Sequence, residues 1–157
     1  MTDIVTLRRI LNTYKRVAMV GLSADWWRPS FFAAKYLLEH GFEVIPVNPK
    51  YEEILGQKCY PDLQSIPTPV DVVDLFQKAE RIPLFVDAAI EIGAKVVWMQ
   101  LGIVHEAAAD KARTAGLEVI TDRCMKIEHA RYQGGLNFTG LRTGIISSRK
   151  PPLRLLS

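Results

Sequence analysis

Apolar positions along the chain fall into two alternating rhythms. Near the start Ile4, Leu7, Leu11 and Tyr14 share one helical face, with Thr2 or Asp3 as the cap, which predicts an amphipathic helix packed as a lid on a sheet. Short continuous apolar runs then appear at "RVAMVG", "EVIPVNP", "DVVDLF", "KVVWMQLG" and "LEVITD". Runs of this kind mark parallel strands, because helices cover both of their faces. Between them lie helical stripes. The first, Ala33, Ala34, Leu37 and Leu38, closes at His40 and Gly41, where a cation and a left-handed glycine suit a helix end. The second is Phe85, Ala88, Ala89 and Ile92 before Gly93, and the third is Val104, Ala108, Ala112 and Ala115 before Gly116.

Strands alternating with helices predict an α/β fold, and five strands are too few for a closed eight-stranded barrel. The expected architecture is a Rossmann-like, doubly wound open parallel sheet of about five strands in three layers. Ligands of such sheets bind outside the carboxyl ends of the strands. Here those ends are Gly21 to Arg28, Val47 to Tyr51, Phe76 to Glu80, Gln100 to His105 and Thr121 to Cys124.

Length and composition narrow the class. A chain of 157 residues forms one domain with a core that needs no metal or disulfide staple. Cys59 and Cys124 lie far apart without ligand spacing, which excludes a zinc site and a secreted disulfide scaffold and leaves both reduced. The charged amino terminus reads as neither signal peptide nor membrane span, so a cytoplasmic location is expected. The net charge of +3 is unevenly placed: Arg131, Arg142, Arg149, Lys150 and Arg154 fall after Ala130 with no acidic residue, leaving 15 basic against 17 acidic side chains elsewhere. These tail charges lack the clustering and interleaved aromatics of a nucleic-acid site.

The stretch "VGLSADWWRPSFFAAK" has the strand, turn and helix layout of a phosphate-binding loop but not its run of glycines. Gly21 supplies the tight turn, and Ala33 and Ala34 let the helix sit close to the sheet. Backbone N–H groups from Ser23 to Trp26 and at the helix start near Pro29 and Ser30 are placed to hold an anion, with the Arg28 fork suited to a diphosphate. Trp26 and Trp27 read equally well as ligand contacts and as cover for a sheet edge or a subunit contact. An NAD protein usually ends its second strand in Asp or Glu; this one ends in Asn48, Pro49 and Lys50. That favours a phosphorylated ribose, which both NADP and coenzyme A carry.

Catalytic constellations are missing. His40, His105 and His129 belong to no Ser/His/Asp order or paired ligand spacing, and there is no Gly-x-Ser-x-Gly elbow. Asp71, Asp74, Asp87 and Asp122 read as strand-end and helix-face residues rather than an acid/base pair. Cys124, beside Arg123 and Lys126, is the one thiol whose surroundings favour a thiolate, against the commoner reading of an inert cysteine.

In combination, "VGLSADWWRPSFFAAKYLLEHGFEVIPVNP", "ILGQKCYPDLQSIPTPVDVVDLF" and "VVWMQLGIVHEAAADKARTAGLEVITDRCMKIEH" resemble the small bacterial and archaeal CoA-binding proteins, whose domain is similar to the CoA-binding amino-terminal domain of the succinyl-CoA synthetase alpha subunit. The resemblance runs from about Leu11 to Arg131, which sets a domain at residues 1–131 and a basic tail of unassigned role at 132–157. It implies that the turn through Gly21, Ser23, Ala24, Arg28, Pro29 and Ser30 holds the diphosphate of coenzyme A. Asn48, Pro49 and Lys50 would lie by the phosphorylated ribose, and Phe76, Gln77 and Lys78 would flank the adenine or the start of the pantetheine arm. The Trp pair departs from the smaller polar residues usual in relatives. The phosphorylated histidine of the synthetase lies outside this domain.

The expected function is therefore binding of coenzyme A or an acyl-CoA by a carrier, sensor or regulatory module rather than an enzyme. The competing readings are an NADP-dependent oxidoreductase and the nucleotide-binding half of a CoA-dependent ligase or transferase. A homodimer or a larger protein partner is compatible with exposed Trp26 or Trp27 and the terminal "LRLLS".

Overall fold

The computed structural model describes residues 3–139. Helix α1 (Ile4–Thr13) starts on Asp3, whose side chain accepts the Thr6 N–H at 2.8 Å. Leu7, Ile10 and Leu11 turn inward, whereas Ile4 is exposed and Tyr14 is the residue after the helix. The apolar stripe is therefore one turn shorter than the sequence pattern suggests.

Strand β1 (Arg16–Val20) leads to α2 (Pro29–Glu39) and β2 (Glu43–Val47). The short β3 (Glu53–Ile54) and β4 (Gln57–Lys58) form an antiparallel hairpin, and a single 3-10 turn (Leu63–Ser65) follows. Next come β5 (Val72–Leu75), α3 (Ile82–Glu91), β6 (Val96–Met99), α4 (Glu106–Thr114), β7 (Glu118–Ile120) and α5 (Met125–Thr139). The sequence pattern missed the hairpin because two-residue strands carry no periodicity. It turns through Leu55 and Gly56, both at positive φ. Val104 lies outside α4, which begins at Glu106 once the His105 imidazole has accepted the Ala108 N–H at 3.1 Å.

The five long strands form one parallel sheet in the order β2-β1-β5-β6-β7. Alternation along each strand sends side chains to opposite faces. Val17, Met19, Val44, Val96, Trp98 and Ile120 pack under α1, α2 and α5. Ala18, Val20, Val73, Leu75, Val97 and Met99 pack under α3 and α4, completing three layers. Both faces are dry, which is why the strands read as unbroken apolar runs. Leu37, fully buried from α2, sits in the first of these layers. Its replacement by alanine is expected to cost about 2–5 kcal/mol, read as a fall in the urea midpoint with an unchanged slope.

Helix α5 continues across residue 131 to Thr139, and the rest of the basic tail lies outside the described residues. Among the described residues no helix is long and apolar enough to cross a membrane.

Candidate functional site

The strand order puts the topological switch between β1 and β5. From β1 the chain moves outward to β2, then returns across β1 to continue through β5, β6 and β7. Loops that diverge at such a point leave a crevice at the carboxyl ends. The ladder runs right up to it, with Phe76 N donating to Val20 O and Gly21 N donating to Val47 O, both at 2.9 Å.

Gly21 is the tightest point. Its φ is +86°, and a Cβ built there would stand 2.2 Å from the Phe76 carbonyl oxygen and 2.8 Å from Gln77 Nε2. Only a residue without a side chain lets the first loop pass this close to the end of β5. The sequence had assigned Gly21, Phe76 and Gln77 to one ligand, and the fold brings these three into contact.

The first loop is organised by its own side chains. Ser30, buried in the opening turn of α2, accepts the Ser23 N–H through Oγ at 3.1 Å, and Ser23 Oγ accepts the Asp25 N–H at 3.0 Å. Ala24 is exposed between them. Arg28 is the N-cap of α2 but makes no side-chain cap, and Pro29 occupies the first helical position. The Arg28 guanidinium is exposed, with Nε 3.9 Å from Asp25 Oδ2. Trp26 and Trp27 stand in solvent edge to face, their ring centroids 6.1 Å apart.

Asn48 is a brace. Its Nδ2 donates to Leu22 O at 3.1 Å and its Oδ1 accepts the Lys50 N–H at 2.9 Å, tying the loop after β2 to the loop after β1. Beneath it the buried Cys59 Sγ donates to Asn48 O at 3.3 Å, and burial pushes that thiol up. Pro49 and Lys50 are exposed beyond this brace, as is Lys78 after β5. Lys50 and Lys78 make no ion pair among the described residues, so with Arg28 three loops each present an exposed cation around the switch point.

The far side of the crevice is fixed by two hydrogen bonds. Asp122, at φ +56°, accepts the Gly102 N–H through Oδ1 at 2.7 Å, and Trp98 Nε1 donates to Arg123 O at 2.8 Å. Cys124 is half-buried in this turn. Arg123 pairs with Glu128 at 3.5 Å.

One residue departs from its sequence reading. Asp74 is neither at a strand end nor on a helix face; it lies inside β5, fully buried, register partner of Met19 and Trp98. Gln100 Nε2 donates to its Oδ1, while Oδ2 has no partner among the described residues. Burial pushes this carboxyl up to about 7, opposed by the Gln100 hydrogen bond. The signal was present in "DVVDLF": a carboxylate inside a strand whose two faces are covered needs a reason.

The histidines are structural. His40 ends α2 with Nδ1 2.8 Å from Tyr36 O. His129 is buried against Phe42, with Nδ1 2.9 Å from the Tyr36 hydroxyl. Burial, then the nearby His40 and Lys15, hold His129 below its ordinary range, and burial pushes Tyr36 up to about 12. Among the described residues no group of three or more His, Cys, Asp or Glu side chains is placed to hold a metal.

Comparison with known proteins bears on this geometry. A family model described as the CoA binding domain matches residues 15–130. The chain is 39% identical over 124 residues to the uncharacterised protein YneT of Bacillus subtilis (strain 168), covering 79% of this chain and 92% of that one. A solved structure of a hypothetical protein from Pyrococcus horikoshii OT3 is similar with a TM-score of 0.82 at 47% identity, covering 85% of this chain and 94% of that one. The ADP-forming acetate–CoA ligase II of Archaeoglobus fulgidus is 37% identical over 71 residues, which are 44% of this chain and 10% of the ligase.

Proposed function

The chain belongs to the CoA binding domain family, and we propose that its crevice binds coenzyme A or an acyl-CoA as a carrier, sensor or regulatory module, without catalysing a reaction itself. The observation that carries this reading is the contact of Gly21 with Phe76 and Gln77 at the switch point, beside an α2 amino terminus that no side chain caps. Backbone N–H groups at a helix start favour an anion, and Arg28 adds a fork that matches a diphosphate. Lys50, beyond the Asn48 brace, is the cation for the 3′-phosphate. Because Asn48 spends its amide on Leu22 O and the Lys50 N–H, its role is to shape the ribose loop.

Titration calorimetry with coenzyme A, dephospho-CoA and NADP⁺ tests this. Coenzyme A is expected to bind best, with dephospho-CoA weaker for want of the Lys50 contact. Arg28→Ala is expected to weaken coenzyme A by about tenfold, since a charge-assisted hydrogen bond at an exposed site delivers the lower part of its range. NADP⁺ binding in preference to coenzyme A would reverse the assignment, and equal affinities for coenzyme A and dephospho-CoA would remove the role of Lys50.

A second reading, the CoA-binding part of an acyl-CoA-forming ligase completed by a separate polypeptide, is favoured by the apolar rim of the crevice. Trp26 and Trp27 in the loop after β1, Phe32 in the first turn of α2, and Leu101 and Val104 in the loop after β6 are all exposed. The similar ligase is a far longer protein, of which the match spans 10%. Copurification with a larger partner in a fixed ratio, lost on replacing Trp26 and Trp27 by serine, would establish this reading.

A further inference from the structure

Among the described residues Asp74 is the one buried ionisable side chain of the sheet strands, and the binding reading does not use it. Its register partners Met19 and Trp98 face α1, α2 and α5, so its carboxyl points to that layer. Two residues further on the same faces stand Gly21 past the end of β1, Phe76 past the end of β5 and Gln100 past the end of β6. At about 3.3 Å per residue, the carboxyl thus lies roughly 7 Å beneath the point where Gly21 meets Phe76. It holds one hydrogen bond, from Gln100, and a buried oxygen with no partner among the described residues. A fully satisfied pair would read as a structural polar contact; a half-satisfied one is costly and calls for another role.

We propose that the Asp74–Gln100 pair is a proton-linked regulator of the crevice, which takes its anionic ligand while the Asp74 carboxyl is neutral and releases it as that carboxyl ionises. This rests on the reading that the crevice binds coenzyme A. The ionised carboxylate and a diphosphate over the first loop would be like charges facing each other through a dry layer of protein. Such charges about 10 Å apart repel enough to change affinity on the order of tenfold. Coupling is reciprocal, so the ligand must raise the pH at which Asp74 gives up its proton.

Of the other groups facing this layer, the buried Nε of Arg8 also has no hydrogen-bond partner among the described residues. Ser30 of α2 is uncharged and bonded to the first loop, and Tyr36 and His40 lie towards the far end of that helix. From α5, Glu128 is paired with Arg123 and Arg131, and His129 with Tyr36. Arg8 of α1 lies over the Tyr132 ring, and Lys15 over Phe42. In the turn after β7, Asp122 holds Gly102, and Cys124 stands beside Arg123. Gln100 alone among them hydrogen-bonds Asp74.

The test is coenzyme A affinity between about pH 5.5 and 8.5 for the wild-type chain, Asp74→Asn and His129→Gln, with the Asp74 carboxyl carbon followed by NMR with and without coenzyme A. The wild type and His129→Gln are expected to lose about tenfold more affinity across this range than Asp74→Asn. Titration of the ligand's own phosphate is common to all three and cancels. Coenzyme A is expected to move the Asp74 midpoint upward in the wild type, a readout that holds even if Asp74→Asn does not fold. Parallel pH profiles, or a midpoint that coenzyme A leaves unmoved, would overturn the linkage while leaving the binding reading intact. No binding by any variant at any pH would overturn both.

Discussion

Gly21→Ala is expected to destabilise the chain by roughly 2–5 kcal/mol and to lower coenzyme A affinity by tenfold or more, the larger of the two effects argued here. Two costs add. An L side chain in the left-handed region costs about 1–2 kcal/mol, and the new Cβ would meet the Phe76 carbonyl oxygen 2.2 Å away. A backbone oxygen cannot rotate aside, so the ends of β1 and β5 must part, at an overpacking cost of about 1–3 kcal/mol. Gly41→Ala is the control. That glycine also has positive φ, +88°, but a Cβ there meets nothing within 4 Å. Urea unfolding of both variants separates conformational strain from close approach: Gly41→Ala should pay only the first cost and leave coenzyme A binding untouched. Equal losses in the two would show that the Gly21–Phe76 contact does not constrain the crevice.

Asp74→Asn is expected to make the chain more stable at pH 8 and to remove a pH dependence that the wild type carries. The folded carboxyl is raised from 3.8 to about 7, so the native state binds its proton more tightly than the unfolded chain does. The stabilising contribution of the protonated form is then complete below the unfolded value. It is lost as pH rises through that value towards the folded one, a window from about pH 4 to 7. A gap of about three units corresponds to at most about 4 kcal/mol. Asparagine keeps the shape and the oxygen that accepts from Gln100 but carries no charge to bury. Its unfolding free energy should exceed that of the wild type by a few kcal/mol at pH 8, with the two converging near pH 4. A wild-type curve that runs parallel to that of Asp74→Asn over this window would mean that Asp74 ionises in the folded protein as freely as in the unfolded chain.

The sequence alone determined the layers and the ends of the strands. Unbroken apolar runs at "RVAMVG" and "KVVWMQLG" need cover on both faces, and the stripes of α2, α3 and α4 supply it; these are local periodicities that survive folding unchanged. Glycines after the stripes marked the helix ends for the same local reason, and Gly41 does adopt a left-handed conformation. The start of α2 was legible too, in Pro29, which takes the first helical position behind Arg28.

What the tertiary structure decided are the relations between loops distant in sequence. Gly21 reads as a turn glycine, yet its necessity comes from Phe76, 55 positions later and just past the end of β5. Asn48 reads as a ribose ligand, yet its amide is taken by Leu22 and Lys50. Asp74 reads as a strand-end or helix-face acid. Pairing β5 between β1 and β6 buries it instead on the face covered by α1, α2 and α5, with a single hydrogen bond. Periodicity reports which side chains leave water, whereas the meeting of two loops, and the partner a buried carboxyl finds, depend on strand order, which a nearest-neighbour pattern along the chain does not encode.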